Sequence, residues 1–149
     1  MDKVTGAMTI AEYKAQMASK GKKKGSPEHD EQVKVFAWAK IMESKYPELE
    51  MLMAIPNGAF YGGHWSVANR MKAEGVKSGV PDIFLPVSTN EVEDYECGLW
   101  IEMKAGKNRT SENQEWWLKK LAEQGYRTRV CYSAEEAMDE IEDYLNCEG

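Results

Sequence analysis

Two short apolar runs, Ile83–Val87 and Leu99–Met103, flank the polar stretch Ser88–Glu96, and this arrangement constrains the fold more than any other part of the chain. Runs of this length and composition are strands, and the polar stretch between them is a turn, so together they predict an antiparallel hairpin. A register centred on Val92 places Asp82 opposite Glu102. Opposed residues in such a ladder sit about 4.5–5.5 Å apart at Cα, so two carboxylates meet at the open end of the hairpin. Glu102 and Lys104 lie two positions apart and project from the same side of their strand. Asp82, Glu102 and Lys104 therefore converge on one spot.

Two carboxylates held close repel each other unless a cation sits between them. A hard divalent ion such as Mg²⁺ or Mn²⁺ suits oxygen ligands, keeps positions open for phosphate oxygens, and lowers the pKa of a bound water. Lys104 stands where it could orient or deprotonate that water and offset charge on a pentavalent phosphorus. The same residues have a plainer reading, with Asp82 a turn residue after Pro81 and Glu102/Lys104 an exposed charge pair. Finding all three together after Gly79-Val80-Pro81 favours the chemical one.

Around the hairpin, Ser26-Pro27 is a helix start, Ser as N-cap and Pro at the first helical position, and the helix should run to about Ser44. Glu28, Gln32, Val35, Phe36, Ala39 and Met42 share one broad face, so Glu28 points where the apolar residues point and offers a third carboxylate. An acid in the first helical turn also stabilises the helix dipole, which is its structural explanation. Leu49–Ile55 reads as a strand ended by Pro56-Asn57-Gly58, followed by a Gly-aromatic loop and a helix from about His64 to Glu74. Ser111 opens a helix that Gly125 closes, with Gln114 at the capping-box position; Gln114 also shares a face with Trp117, Leu118 and Leu121, so its amide is either a cap or a buried group near the site. Arg127–Tyr132 is a last strand and Ala134–Leu145 a last helix. Interleaved helices and strands put the chain in the α/β or α+β class around a small mixed sheet.

Thr9 and Glu12 form a capping-box pattern, so a short helix is expected to about Ser19, followed by the basic linker Gly21–Gly25; residues 1–25 are thus a flexible basic segment and residues 26–149 the domain. A length of 149 residues suits one such domain. No apolar run approaches the roughly 18–20 residues of a membrane span, and no secretory h-region is present, so the expected setting is the cytoplasm. Cys97, Cys131 and Cys147 are far apart and odd in number, which reads as reduced thiols rather than a zinc site or disulfide framework, and His29 and His64 read as surface or capping residues. The tryptophans, Trp116-Trp117 among them, read as core and dimer contacts more than as base-stacking platforms.

The net charge of −6 hides an uneven distribution: six Lys against two acids in residues 1–25, and seven acids with no base from Ser133 onward. Between them lie the clusters Arg70/Lys72/Lys77 and Lys104/Lys107/Arg109. A DNA face built from Lys72, Lys77, Lys107 and Arg109 fits this pattern, with Asn57 either a tight-loop residue or a further contact.

Glu28, Pro81-Asp82 and Glu102-Met103-Lys104 resemble the PD-(D/E)XK nuclease superfamily, and more closely its VRR-NUC branch, the nuclease domain of phage proteins and of a eukaryotic crosslink-repair nuclease. That pattern is similar to Glu28-x-x-x-Gln32, Pro56-Asn57-Gly58, Gly75–Asp82, Glu102-x-Lys104, Ser111-x-x-Gln114 and Gly125, spread over about residues 27–145. The resemblance implies a restriction-endonuclease-like mixed sheet flanked by helices. It implies metal binding by Asp82, Glu102 and the Met103 backbone carbonyl, a catalytic Lys104, a helix-borne acid at Glu28, and Gln114 as a supporting group. Glu31, which also precedes Gln32, is the alternative helix-borne acid. Lone domains of this size resemble Holliday junction resolvases, which implies a homodimer acting on branched DNA. A non-catalytic DNA-binding module with the same fold and a restriction-type enzyme cutting duplex are the other readings.

Overall fold

The computed structural model describes residues 26–56, 65–90 and 92–147, together with Ala11. The expected N-terminal helix and basic linker, Asn57, His64 and the Gly-aromatic loop lie outside the described residues.

The elements run in the order α1 (Pro27–Met42), a 3₁₀ turn (Pro47–Met51), β1 (Met53–Ala54), α2 (Trp65–Ala73), β2 (Ile83–Leu85), β3 (Leu99–Met103), α3 (Glu112–Glu123), β4 (Arg127–Cys131) and α4 (Ala134–Asn146). The four strands form one sheet in chain order, with β1–β2 and β2–β3 antiparallel and β3–β4 parallel. Parallel neighbours need a long crossover, and α3 supplies it. The hairpin pairs Ile83 with Ile101 and Leu85 with Leu99, the register expected from its turn, so continuing the ladder by one step sets Asp82 against Glu102.

Strand alternation sorts the sheet into two faces. Ile83, Leu85, Leu99, Ile101 and Met103 are buried on one face. There they join Val35, Trp38, Ala39 and Met42 of α1 and Ala137, Met138, Ile141 and Tyr144 of α4 in a single core. Residues of the opposite parity, Asp82, Phe84, Trp100, Glu102 and Lys104, belong to the second face. On it Phe84 stacks on Trp100 at 4.1 Å between ring centroids, and the Tyr126 ring meets both edge-on. At its Glu102 end α3 covers this face, which is why β3 loses clean alternation and buries Glu102 beside its apolar neighbours.

One expected strand differs. Leu49–Ile55 begins as the 3₁₀ turn, and only Met53–Ala54 pair with β2. The buried residues there are Leu49 and Leu52, a spacing of three that a helical turn satisfies and a strand does not. β2 ends at Leu85, short of the expected Val87. The other boundaries fall within two residues of expectation.

Candidate active site

Glu102 is 2% exposed and Lys104 7% exposed, so the pair is buried rather than a solvated surface couple. Lys104 Nζ lies 3.4 Å from Glu102 Oε1. Asp82 closes the third corner: its Oδ2 accepts the Met103 backbone N–H at 2.8 Å. That bond shows why the ladder ends here, since the carboxylate takes the place a strand carbonyl would have occupied. Lys104 N–H donates to the Cys131 carbonyl on the β4 side. Met103 N–H points the other way, and the Met103 carbonyl shares that direction, because both backbone groups of a strand residue face the same neighbour.

Gln114 serves both readings that its position suggested. Its Oε1 accepts the Ser111 backbone N–H at 2.9 Å, completing the capping box of α3. Its Nε2 donates to Glu102 Oε1 at 2.7 Å. One amide therefore caps the helix and grips the buried acid.

The two candidate helix-borne acids separate by their partners. Glu31 pairs with Lys34 and accepts the Ala134 N–H at 2.7 Å, binding α1 to the start of α4. Glu28 accepts from Asn108 Nδ2 at 3.0 Å and lies close enough to Glu102 to raise its pKa. Burial is the largest cause that pushes the Glu102 carboxyl up to about 8, with Asp82 next and Glu28 adding, against the lowering influence of Lys104. Glu102 Oε2 is buried and has no hydrogen-bond partner among the described residues. Among the described residues no three of His, Cys, Asp and Glu form a metal-holding group; the acids that meet are two, with the Met103 carbonyl beside them.

Asn113, Ser78 and Asn108, for which the sequence offers little signal, hold this arrangement together with Trp117. Asn113 Nδ2 donates to the Ser78 carbonyl at 2.8 Å and to its hydroxyl at 3.0 Å, and Trp117 Nε1 donates to the same carbonyl at 3.0 Å. The clamp passes so close to Gly79, whose φ is +83°, that a Cβ there would lie 2.6 Å from Asn113 Nδ2. Gly79 is thus required twice over, for its backbone and for its missing side chain. The only sequence hint of the clamp is an amide beside Gln114 in the first turn of α3. Asn108, which holds Glu28, had none beyond its place among the cations of residues 104–109.

Of the expected DNA contacts, Lys72, Lys77, Lys107 and Arg109 are all exposed, and none is drawn into the carboxylate cluster. A groove of about 420 Å³ lined by His29, Gln32, Val33, Phe36 and Ala37 runs along α1, and it contains none of the converging residues. The cysteines are free thiols, and burial pushes that of Cys131 up to about 12, leaving it inert. No helix among the described residues is long and apolar enough to cross a membrane.

A family model described as the VRR-NUC domain matches residues 26–135. The solved structure of a VRR_NUC domain protein is similar at 26% identity and a TM-score of 0.65, over 83% of this chain and 91% of that one. No curated protein matches the chain.

Proposed function

The chain belongs to the VRR-NUC domain family, a nuclease-type domain that works on DNA, and from that premise we propose that it is a metal-dependent endonuclease hydrolysing phosphodiester bonds in branched DNA. The observation that carries the reading is the unsaturated acid: Glu102 Oε2 is buried, without a partner, beside a second carboxylate. Leaving a buried acceptor unpaired costs about 1–3 kcal/mol, so an arrangement of this kind persists where another group completes it.

The residues fit Mg²⁺ or Mn²⁺: Asp82, Glu102 and the Met103 carbonyl would hold the ion, and Glu28 would approach through water. When bound, such an ion polarises a phosphate oxygen and makes a water acidic enough to attack. The chain's own groups do the rest. Lys104 orients the attacking water and stabilises negative charge on the phosphoryl oxygens as the bond to the leaving oxygen breaks. Gln114 fixes one Glu102 oxygen so that the other stays directed at the site. Lys72, Lys77, Lys107 and Arg109 take phosphates on either side.

Resolution of a four-way junction needs matched cuts in two strands, whereas one chain offers one Asp82–Glu102–Lys104 set. The reading therefore includes a homodimer whose two-fold axis coincides with that of the junction. The test is a cleavage gel with labelled junction, flap, single strand and duplex, each with Mg²⁺, Mn²⁺ or Ca²⁺, beside light scattering of the protein. Cutting of the junction with Mg²⁺ or Mn²⁺, binding without cutting in Ca²⁺, and a dimer mass support it. Equal cutting of duplex and junction, or a monomer at micromolar concentration, removes the junction reading and leaves the nuclease. Binding without cutting under every metal leaves only a DNA-binding module.

A further inference from the structure

The helix α2 (Trp65–Ala73) buries none of its residues. Ala68 and Met71 are half-buried, and the side of the helix away from them stands open to solvent. Trp65 is 82% exposed, and Asn69 and Lys72 are exposed at four and seven positions beyond it. At 100° per residue these three share one stripe, an indole, an amide and an ammonium in line. Arg70 lies on another side, where Glu74 pairs with it at 3.0 Å.

The chain runs from this stripe toward the acids. The chain leaves α2 through Lys77 and reaches Ser78, which Asn113 and Trp117 of α3 clamp, and then Asp82. The same α3 holds Glu102 through Gln114. One helix thus grips both the buried carboxylate and the root of α2.

Building on the nuclease reading, we propose that the Trp65–Asn69–Lys72 stripe binds an unpaired DNA base and its phosphate. The chemistry selects that ligand. Lys72 and Lys77 complement a polyanion, which disfavours a basic or neutral partner. An indole face attracts a base only if the base is not already stacked inside a duplex. A single indole beside an amide and an ammonium is too small an apolar patch for a protein or membrane interface. Asn69 is in line to hydrogen-bond the edge of the base that Trp65 stacks. Unpaired bases occur at branch points and in single strands, so the stripe supplies selectivity for branched over linear DNA within one chain.

The test measures binding of a labelled single strand of about 15 nucleotides, a blunt duplex of the same sequence, and that duplex with a single-stranded extension, by anisotropy in Ca²⁺, where binding without cutting is expected. Trp65→Ala should weaken binding of the single strand and the extended duplex by about tenfold, within the roughly 5- to 150-fold that one stacked base is worth. Duplex binding should change less than twofold. Trp65→Phe should restore most of the loss. Lys72→Ala should lower the slope of log affinity against log salt on the single strand by about 0.7. Single-strand binding by Trp65→Ala equal to wild type, or an equal loss on duplex, overturns the proposal. So does a change in particle mass with Trp65→Ala, which would make Trp65 a contact between copies. If the wild-type protein bound no DNA at all, the nuclease reading would fall with it; if it binds and Trp65→Ala binds equally, only the stripe falls.

Discussion

At one end of the β3–β4 ladder Arg127 sits among acids; at the other, Glu102 lies beside Asp82 and pairs with Lys104. Arg127 pairs with Leu99 across the ladder and belongs to the core-facing side of the sheet, while Glu102 pairs with Val130 and belongs to the second side. Arg127 Nε reaches Glu96 at 2.7 Å, its Nη1 reaches Asp143 at 3.0 Å and Glu140 at 3.4 Å, and its guanidinium lies over the Tyr144 ring. That cluster is saturated: a cation has found a partner for each nitrogen, and the turn before β3, strand β4 and helix α4 are fastened together. The Glu102 cluster is the reverse, with acids in excess and one oxygen left over. Each cluster centres on a charged group largely withdrawn from water, Arg127 in one and Glu102 in the other, so burial and charge alone do not mark a functional site. Saturation separates a fastening from a place where something else binds.

The comparison breaks most visibly at the acids. Asp82→Asn, Glu102→Gln and Lys104→Ala should each lower cleavage at least about 10²- to 10³-fold, the cost of removing a group that stabilises transition-state charge. Thermal unfolding of Glu102→Gln should match or exceed that of the wild type, because the neutral amide relieves the acid–acid repulsion. Normal cleavage by Lys104→Ala would remove the role assigned to that lysine. At the other end, Arg127→Met leaves Glu96, Glu140 and Asp143 facing one another and should cost about 1.5–3 kcal/mol, the range for losing hydrogen bonds to a charged group. Calorimetry checks the loss, and a cleavage assay on protein kept well below its unfolding temperature should find the rate per folded molecule unchanged. A dead but stable Arg127→Met would show that the fastening is part of the chemistry after all.

A smaller effect falls between the two. Gly79→Ala meets Asn113 and forces a side chain onto a positive φ, which should cost about 1–3 kcal/mol. Because Gly79 leads into Asp82, cleavage should fall in this variant even where the protein is folded, and Ala at Gly75, where φ is +98° but nothing lies within 4 Å, should spare cleavage.

The remaining comparison is the pH dependence of stability. The Glu102 carboxyl titrates near 8 when folded, above its ordinary value of 4.5. The folded state therefore binds a proton more tightly than the unfolded state, and metal-free protein should lose stability as pH rises from about 4.5 to about 8. Glu102→Gln should flatten that slope, and so should Mg²⁺ or Mn²⁺, each visible as a melting temperature that changes less across the window. An identical slope in Glu102→Gln would mean that another group titrates.

The hairpin and its acids were legible in the sequence because their geometry is local. A turn midpoint at Val92 fixes the register, and the register fixes which residues face Asp82. Glu28 was legible for a similar reason, since a helix face can be counted. The 3₁₀ turn at Pro47–Met51 was not, because Leu49 and Leu52 in a short apolar run fit a strand nearly as well as a turn. Nor were the Arg127 fastening or the Asn113–Ser78 clamp. Their partners are 31 and 35 residues away in the chain, and nothing in the spacing of Arg127 and Glu96, or of Asn113 and Ser78, brings them together before the sheet does.

Gln114 carries a consequence for how the sequence can drift. In a capping box the third helical position accepts Glu as readily as Gln, and the two codons differ by a single base. Here the amide oxygen caps Ser111 while the amide nitrogen donates to Glu102 at 2.7 Å. A Glu at this position would keep the cap and set a third anion against a carboxylate already short of counterions. The commonest neutral exchange at a helix start is thereby barred from the far side of the side chain, and selection for the site reads as selection for the helix.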